Sequence, residues 1–133
     1  MKVTVHVDGG ARGNPGPAAA AAVITDGDGG LLAEHSELLG RVTNNVAEYR
    51  ALLLGLARAR ELGATDIEVI GDSELIAKQV SGVYKVKHEA MRPLYLDAMK
   101  ALRDFDSWSI RTVPRAQNAH ADALVNAALD AAR

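Results

Sequence analysis

Four acidic residues are placed where their carboxylates can meet: Asp8, Glu48, Asp72 and Asp122. Asp8 ends an alternating apolar segment just before Gly9-Gly10, and Asp72 ends another in Ile70-Gly71-Asp72-Ser73. Glu48 and Asp122 fall in the first turns of expected helices. Each has an ordinary reading by itself. Asp8 alone is most simply a turn aspartate, and Asp72 an N-cap for the next helix. Asp122, behind Asn118, reads as a helix-dipole partner worth ~0.3–1 kcal/mol. Glu48 fits a capping box, Asn45-Val46-Ala47-Glu48, at the third helical position. Yet Glu48 also shares a stripe with Leu52 and Leu56, which aims its carboxylate at the core side of the helix. A carboxylate there is costly unless paired or metal-bound. Together the four are more informative than singly. Open α/β sheets put their sites at the C-terminal ends of strands. If the first and fourth strands are parallel neighbours, Asp8 and Asp72 emerge side by side. Four converging carboxylates repel one another strongly without a cation, and hard divalent ions, Mg²⁺ or Mn²⁺, are the natural solution. Clusters of this sort serve two-metal phosphoryl chemistry, with ions roughly 3.5–4 Å apart.

The elements that must position these residues follow from periodicity. Val3, Val5 and Val7 alternate with Lys2, Thr4, His6 and Asp8, which predicts a strand. Gly9 to Pro17 (GGARGNPGP) reads as a tight loop. Ala18 to Thr25 is a second strand despite its alanines, which are weak strand formers. Asp26 to Gly30 (DGDGG) is a hairpin turn that returns the chain as a third strand over Leu31 to Leu39. Thr43, Asn44 and Asn45 supply caps for a long helix carrying Val46, Tyr49, Leu52, Leu53 and Leu56, ended by Gly63. Then come a strand at Ile67 to Ile70, a helix from about Ser73 to Val80, an irregular basic stretch, and a helix from Met91 to Arg103 with Pro93 in its first turn. Trp108 to Val113 is a last strand and Ala119 to Ala132 a C-terminal helix. The order β-β-β-α-β-α-α-β-α implies an α/β fold, a mixed sheet with helices on its faces.

Bulk properties set limits without choosing a function. The 133 residues suit one compact domain, residues 1–133, and 48% hydrophobic content is ordinary for a globular protein. The chain contains no cysteine, which excludes disulfides and thiolate metal sites and fits a reducing cytoplasm. No segment reaches the length of a membrane span, and the short alternating N-terminus is not a signal peptide. A net charge of −2 gives no bulk attraction to nucleic acid, although a local basic patch can bind it. GxxxxGK[ST] and GxGxxG are both absent, so the glycine loop is neither a P-loop nor a dinucleotide fingerprint, and no organic cofactor is expected.

In Asp8 to Pro17 (DGGARGNPGP), Thr43 to Glu48 (TNNVAE), Asp72-Ser73 and Asn118 to Asp122, the sequence resembles the ribonuclease HI family. The motifs occur in family order across nearly the whole chain, and VAEYRALLLGL and the compact middle are similar to the shorter archaeal and actinobacterial type. The resemblance implies a five-stranded mixed sheet with the first three strands antiparallel. It implies two Mg²⁺ ions, with Mn²⁺ as substitute, held by Asp8, Glu48, Asp72 and Asp122. The implied reaction is hydrolysis of the RNA strand of an RNA–DNA hybrid, leaving 3′-hydroxyl and 5′-phosphate ends. Asn14, Asn44 and Asn45 would contact the hybrid, unless all three serve only as turn and cap residues. Backbone near Gly9, Gly10 and Gly13, with Ser73 or Glu74, would help read ribose 2′-hydroxyls, and Arg115 and Asn118 join the substrate-contact set. A monomer is expected. Similar domains also occur fused to an acid-phosphatase-like module.

The sequence departs from the family in two places. Many relatives carry a histidine in the loop before the last helix, where this chain has Arg115. Arginine stays protonated and cannot be a general base, so Arg115 is expected to hold phosphate or stabilise charge. His120 lies two residues before Asp122, about 200° away around a helix, and reads as a surface or supporting residue. The long basic protrusion of some relatives is reduced to Lys78, Lys85, Lys87, His88 and Arg92, either a solvated loop or a modest substrate grip. The competing readings are a two-metal nuclease for double-stranded RNA or other nucleic acid, and a non-catalytic hybrid-binding module. Retention of all four carboxylates speaks against the second.

Overall fold

The valine alternation of the first segment places it at the centre of the sheet. The computed structural model describes residues 1–132. Among the described residues the elements are β1 (Lys2–Ala11), β2 (Gly16–Thr25), β3 (Leu31–Val42), α1 (Asn44–Glu61), β4 (Asp66–Gly71), α2 (Glu74–Val80), α3 (Arg92–Leu102), β5 (Ser107–Thr112) and α4 (Ala119–Ala131). The strand order is β3-β2-β1-β4-β5. β1, β2 and β3 pair antiparallel, whereas β4 pairs parallel with both β1 and β5. The expected mixed sheet, with its antiparallel first three strands, is therefore present. None of the described helices is long and apolar enough to cross a membrane.

Among the differences from the sequence reading, three lie beside the acidic residues or the segments that carry them. β1 does not stop at Asp8. It continues to Ala11, with Gly9 opposite Ala20 and Ala11 opposite Ala18, so the true turn lies within residues 12–15. Glycines, lacking a side chain, did not signal a strand, but their backbone groups pair with β2 as well as any others. β3 likewise runs on to Val42. A 3-10 turn over Arg115–Asn118 precedes α4, where only a loop was expected.

Helices cover both faces. Val3, Val5 and Val7 of β1, with Ala20, Ala22 and Ile24 of β2, face α1 and form the main core with Tyr49, Leu52, Leu56, Val69 and Leu102. The alternate residues of β2, Ala19 and Ala21, face α4 and meet Val125 and Leu129 in a smaller cluster. Both sides of β2 are thus buried, which is why alanine serves there. A small side chain lets a helix approach the sheet closely from either side. Gly55 does the same from the helix, since a Cβ at that position would fall 2.7 Å from a Val5 methyl.

One polar pair lies inside the core beneath α1. The Tyr49 hydroxyl donates to Gln79 Oε1 at 2.6 Å, joining α1 to α2. Both residues are buried. Tyr49→Phe removes the donor and leaves the amide oxygen desolvated, so stability should fall by about 1–3 kcal/mol. A lower urea midpoint at unchanged slope is the expected result.

Candidate active site

The parallel register between β1 and β4 aligns the first two carboxylates. Its last pair is His6 opposite Ile70, and two residues beyond on each chain stand Asp8 and Asp72. They emerge side by side, as the parallel arrangement requires. β1 continues past this point with β2 alone, so Asp8 lies where β1 parts from β4.

Local caps settle the ordinary readings of two acids. Thr43 caps α1, its hydroxyl accepting from the Val46 N–H at 3.3 Å. The capping box expected at Asn45 is therefore absent, and Glu48 lies beyond the capping positions. Ser73 caps α2, accepting from Ile76 N–H at 3.3 Å. Asp72 is not the cap, and its carboxylate belongs to the strand-end cluster.

One oxygen each from Asp8, Glu48 and Asp72 lies within 4.8 Å of the others. Asp8 is 2% exposed, Glu48 8%, and the Asp72 side chain 9%. Glu48 Oε1 accepts from the Gly9 N–H at 2.6 Å. Gly9 makes this bond possible, because a Cβ there would fall 2.1 Å from the Ala47 carbonyl oxygen. Among the described residues, Asp8 Oδ1 and Asp72 Oδ2 are buried without a hydrogen-bond partner. Arg115 Nε is 3.3 Å from Asp72 Oδ2, in ion-pair range but not aligned as a hydrogen bond. Asp122, on the first turn of α4, stands at the rim with its side chain 28% exposed, 3.3 Å from Arg115 Nη1.

Crowding raises the pKa of the two deepest acids. Burial, then the charges of Asp72 and Asp122, push the Asp8 carboxyl up to about 7 against the pull of Arg115. Burial, then Asp8, push Glu48 up to about 8, although the Gly9 N–H opposes the rise. Buried carboxylate oxygens lacking partners, converging on one point, fit a hard divalent cation. Asp8, Glu48 and Asp72 would hold it, with Asp122 supplying the rim.

The other sequence-predicted residues divide into two groups. Asn14 and Asn44 interlock the glycine turn with α1: Asn14 Oδ1 accepts from Asn44 N–H at 3.0 Å, and Asn44 Oδ1 from Ala11 N–H at 3.3 Å. Asn45 is exposed beside them, Gly10 lies next to Val125, and Gly13 is in the turn at positive φ. Asn118 is buried and donates to the Val7 carbonyl at 2.9 Å, tying the start of α4 to β1 rather than facing outward. Glu74 lies on the outer surface of α2, paired with Lys78 Nζ at 2.6 Å. Lys78 also meets the Tyr84 ring, 5.1 Å from its centroid. Lys85, Lys87, His88 and Arg92 are exposed on or beside the irregular segment. His120 pairs with Glu34 at 2.7 Å, on the surface as expected.

Sequence reasoning missed Arg12. Its guanidinium crosses from the glycine turn to α4, 2.7 Å from Asp130 and 3.4 Å from Asn126 Oδ1. The same Asn126 donates to the Asp122 carbonyl at 3.1 Å. A lone arginine inside a glycine turn was the available signal, but its partners lie more than a hundred residues away.

Comparison with known proteins agrees with this geometry. A sequence profile described as reverse transcriptase-like matches residues 6–128. Ribonuclease HI of Halobacterium salinarum is 48% identical over 129 residues, covering 97% of this chain and 65% of that protein. The N-terminal RNase H domain of Rv2228c from Mycobacterium tuberculosis superposes with a TM-score of 0.96 at 48% identity, covering 99% of this chain and 96% of that one. LC11-RNase H1, solved in complex with an RNA/DNA hybrid, gives 0.94 at 41% identity, covering 98% of each chain. The chain belongs to the ribonuclease H family. It spans 65% of the length of the Halobacterium protein and 36% of that of the bifunctional protein Rv2228c.

The raised acids make stability depend on pH and metal. Carboxylates titrate near 4 in an unfolded chain, whereas Asp8 and Glu48 hold their protons to about 7 and 8 here. The unfolded state ionises first, so metal-free stability falls as pH rises from above 4 through about 8. Thermal melts in EDTA should show the midpoint dropping over that window. Mg²⁺ should reverse the drop, and Asp8→Asn should flatten it.

Proposed function

We propose that this chain is an endoribonuclease that hydrolyses the RNA strand of RNA–DNA hybrids. The observation that carries the reading is the triad Asp8, Glu48 and Asp72, gathered within 4.8 Å at the end of two parallel strands with buried oxygens lacking partners. The likeness to LC11-RNase H1, which was solved with an RNA/DNA hybrid, supports the substrate. Asp8, Glu48, Asp72 and Asp122 would hold two Mg²⁺ ions, with Mn²⁺ as substitute. Ions held there would supply charge neutralisation and Lewis-acid activation for hydrolysis of a phosphodiester. The products carry 3′-hydroxyl and 5′-phosphate ends.

The protein's own groups prepare that reaction. The Gly9 N–H fixes the Glu48 carboxylate, and the β1–β4 register fixes Asp8 against Asp72. The Asn14–Asn44 interlock presents the glycine turn as a rigid edge. Backbone groups near Gly9, Gly10 and Gly13, with Asn45, are assigned the reading of ribose 2′-hydroxyls, the Gly9 N–H itself being taken by Glu48. Ser73 caps α2 directly after Asp72. The unit is taken to be one catalytic domain that works as a cytoplasmic monomer.

A labelled RNA–DNA hybrid, incubated with and without Mg²⁺ beside Asp8→Asn, tests the reaction and the site together. Internal cuts in the RNA strand should require Mg²⁺ and fall by at least about a hundredfold in the variant, given the electrostatic role assigned to the group. Single-stranded RNA, RNA duplex and DNA duplex should stay intact. Cleavage of the RNA duplex in preference to the hybrid would shift the assignment to another two-metal nuclease. Binding without cutting in either Mg²⁺ or Mn²⁺ would leave a hybrid-binding module.

The exposed basic segment supplies a second test. Lys85→Ala with Lys87→Ala should weaken hybrid binding and reduce the slope of log affinity against log salt by roughly one or two contacts. An unchanged slope and affinity would make the segment a solvated loop.

A further inference from the structure

Arg115 divides the cleft above the carboxylates in two. On one side lies a pocket of about 200 Å³ with Asp8 and Asp122 in its wall. On the other lies a pocket of about 270 Å³ with Glu48 and Asp72 in its wall. Arg115 lines both. Its guanidinium spans the gap between the pockets, 3.3 Å from Asp72 and 3.3 Å from Asp122. These contacts are longer than the roughly 2.7–2.9 Å of a well-formed charge-assisted hydrogen bond. The side chain is 68% exposed and leaves from the 3-10 turn that begins after Pro114. It is therefore held loosely, by one long hydrogen bond to Asp122 and one unaligned ion pair to Asp72.

We propose that Arg115 is a displaceable counter-charge: it occupies the rim of the carboxylate cluster at Asp122 until a divalent ion claims that carboxylate. This rests on the metal-site reading above. The inner triad, Asp8, Glu48 and Asp72, converges within 4.8 Å and is open to a first ion. The outer position is different, because an ion there would compete with a guanidinium for the Asp122 carboxylate. Two positive groups cannot share it without strong repulsion. Displacement also removes the partition, so the two pockets become one groove passing over all four acids. The freed guanidinium, a fork of donors suited to phosphate oxygens, is then available to an incoming nucleic-acid strand. The two ions consequently bind with unequal affinity, and a strand that draws Arg115 away favours occupation of the outer position.

Calorimetric titration of the full chain with Mn²⁺ alone, in the absence of nucleic acid, tests this. The wild type should show a tighter and a weaker class of site. Arg115→Gln keeps a polar side chain without the charge and should tighten the weaker class by roughly three- to tenfold, the range of two partly exposed ion pairs. The tighter class, which shares Asp72 with Arg115, should tighten by less than the weaker one. Arg111→Gln is the control for a general loss of positive charge, since Arg111 pairs with Glu68 at 3.4 Å instead of with the cluster. It should leave both classes unchanged. An unchanged or weaker second class in Arg115→Gln overturns the proposal. So does equal tightening of both classes, or the same tightening in Arg111→Gln. If the wild type binds no Mn²⁺, the metal-site reading itself fails and this inference falls with it.

Discussion

Mutual repulsion among carboxylates that the backbone forces together is the constraint on which the arrangement depends. Asp8 and Asp72 have no choice of position, because parallel pairing of β1 with β4 carries both chains to the same end of the sheet. Glu48 is brought up to them by α1, which lies so close to β1 that only glycine fits at position 9. The cost of crowding is visible in the upward pKa shifts of Asp8 and Glu48. The polar groups nearby offset it in part. The Gly9 N–H favours the ionised form of Glu48, and Arg115 favours that of Asp8 and Glu48 together. Such a site is poised for cations because its own protein has left it short of positive charge.

Much of this was legible in the sequence, for physical reasons that differ by residue. Val3, Val5 and Val7 bury one face of β1, and period-two alternation reports that directly. The Glu48, Leu52 and Leu56 stripe correctly aimed an acid inward, because helical geometry fixes which residues share a face. Strand ends were harder. β1 extends through Gly9 to Ala11 on backbone hydrogen bonds alone, and no side chain announces it. Caps were legible only to within a run of suitable residues: Thr43, one of three candidates, binds the helix start, and the capping box at Asn45 does not form. Long-range ties were illegible. Nothing near Asn118 indicates that its amide will bind Val7, or near Arg12 that it will reach Asp130.

The alanine-rich β2 shows how composition can mislead when burial is two-sided. Alanine is a poor strand former in isolation, yet every residue from Ala18 to Ile24 is buried. The strand is selected for thinness. With α1 on one side and α4 on the other, small side chains bring both acid-bearing helices close to the sheet from opposite faces. Larger residues would move Glu48 or Asp122 away from Asp8 while leaving the strand pairing intact.

The two faces are nonetheless unequal. α1 is embedded in the main core, whereas α4 rests on a cluster whose buried members are Ala19, Ala21, Val125 and Leu129. A segment with so little apolar contact opens at lower free energy than the body of the fold. The acidic cluster is therefore unevenly supported. Three of its acids are carried by elements packed in the main core, and Asp122 by the helix that rests on the smaller cluster. Amide exchange in α4 faster than in α1 would be the signature of that hierarchy, and sustained activity would then follow how often α4 is seated rather than how stable the whole domain is.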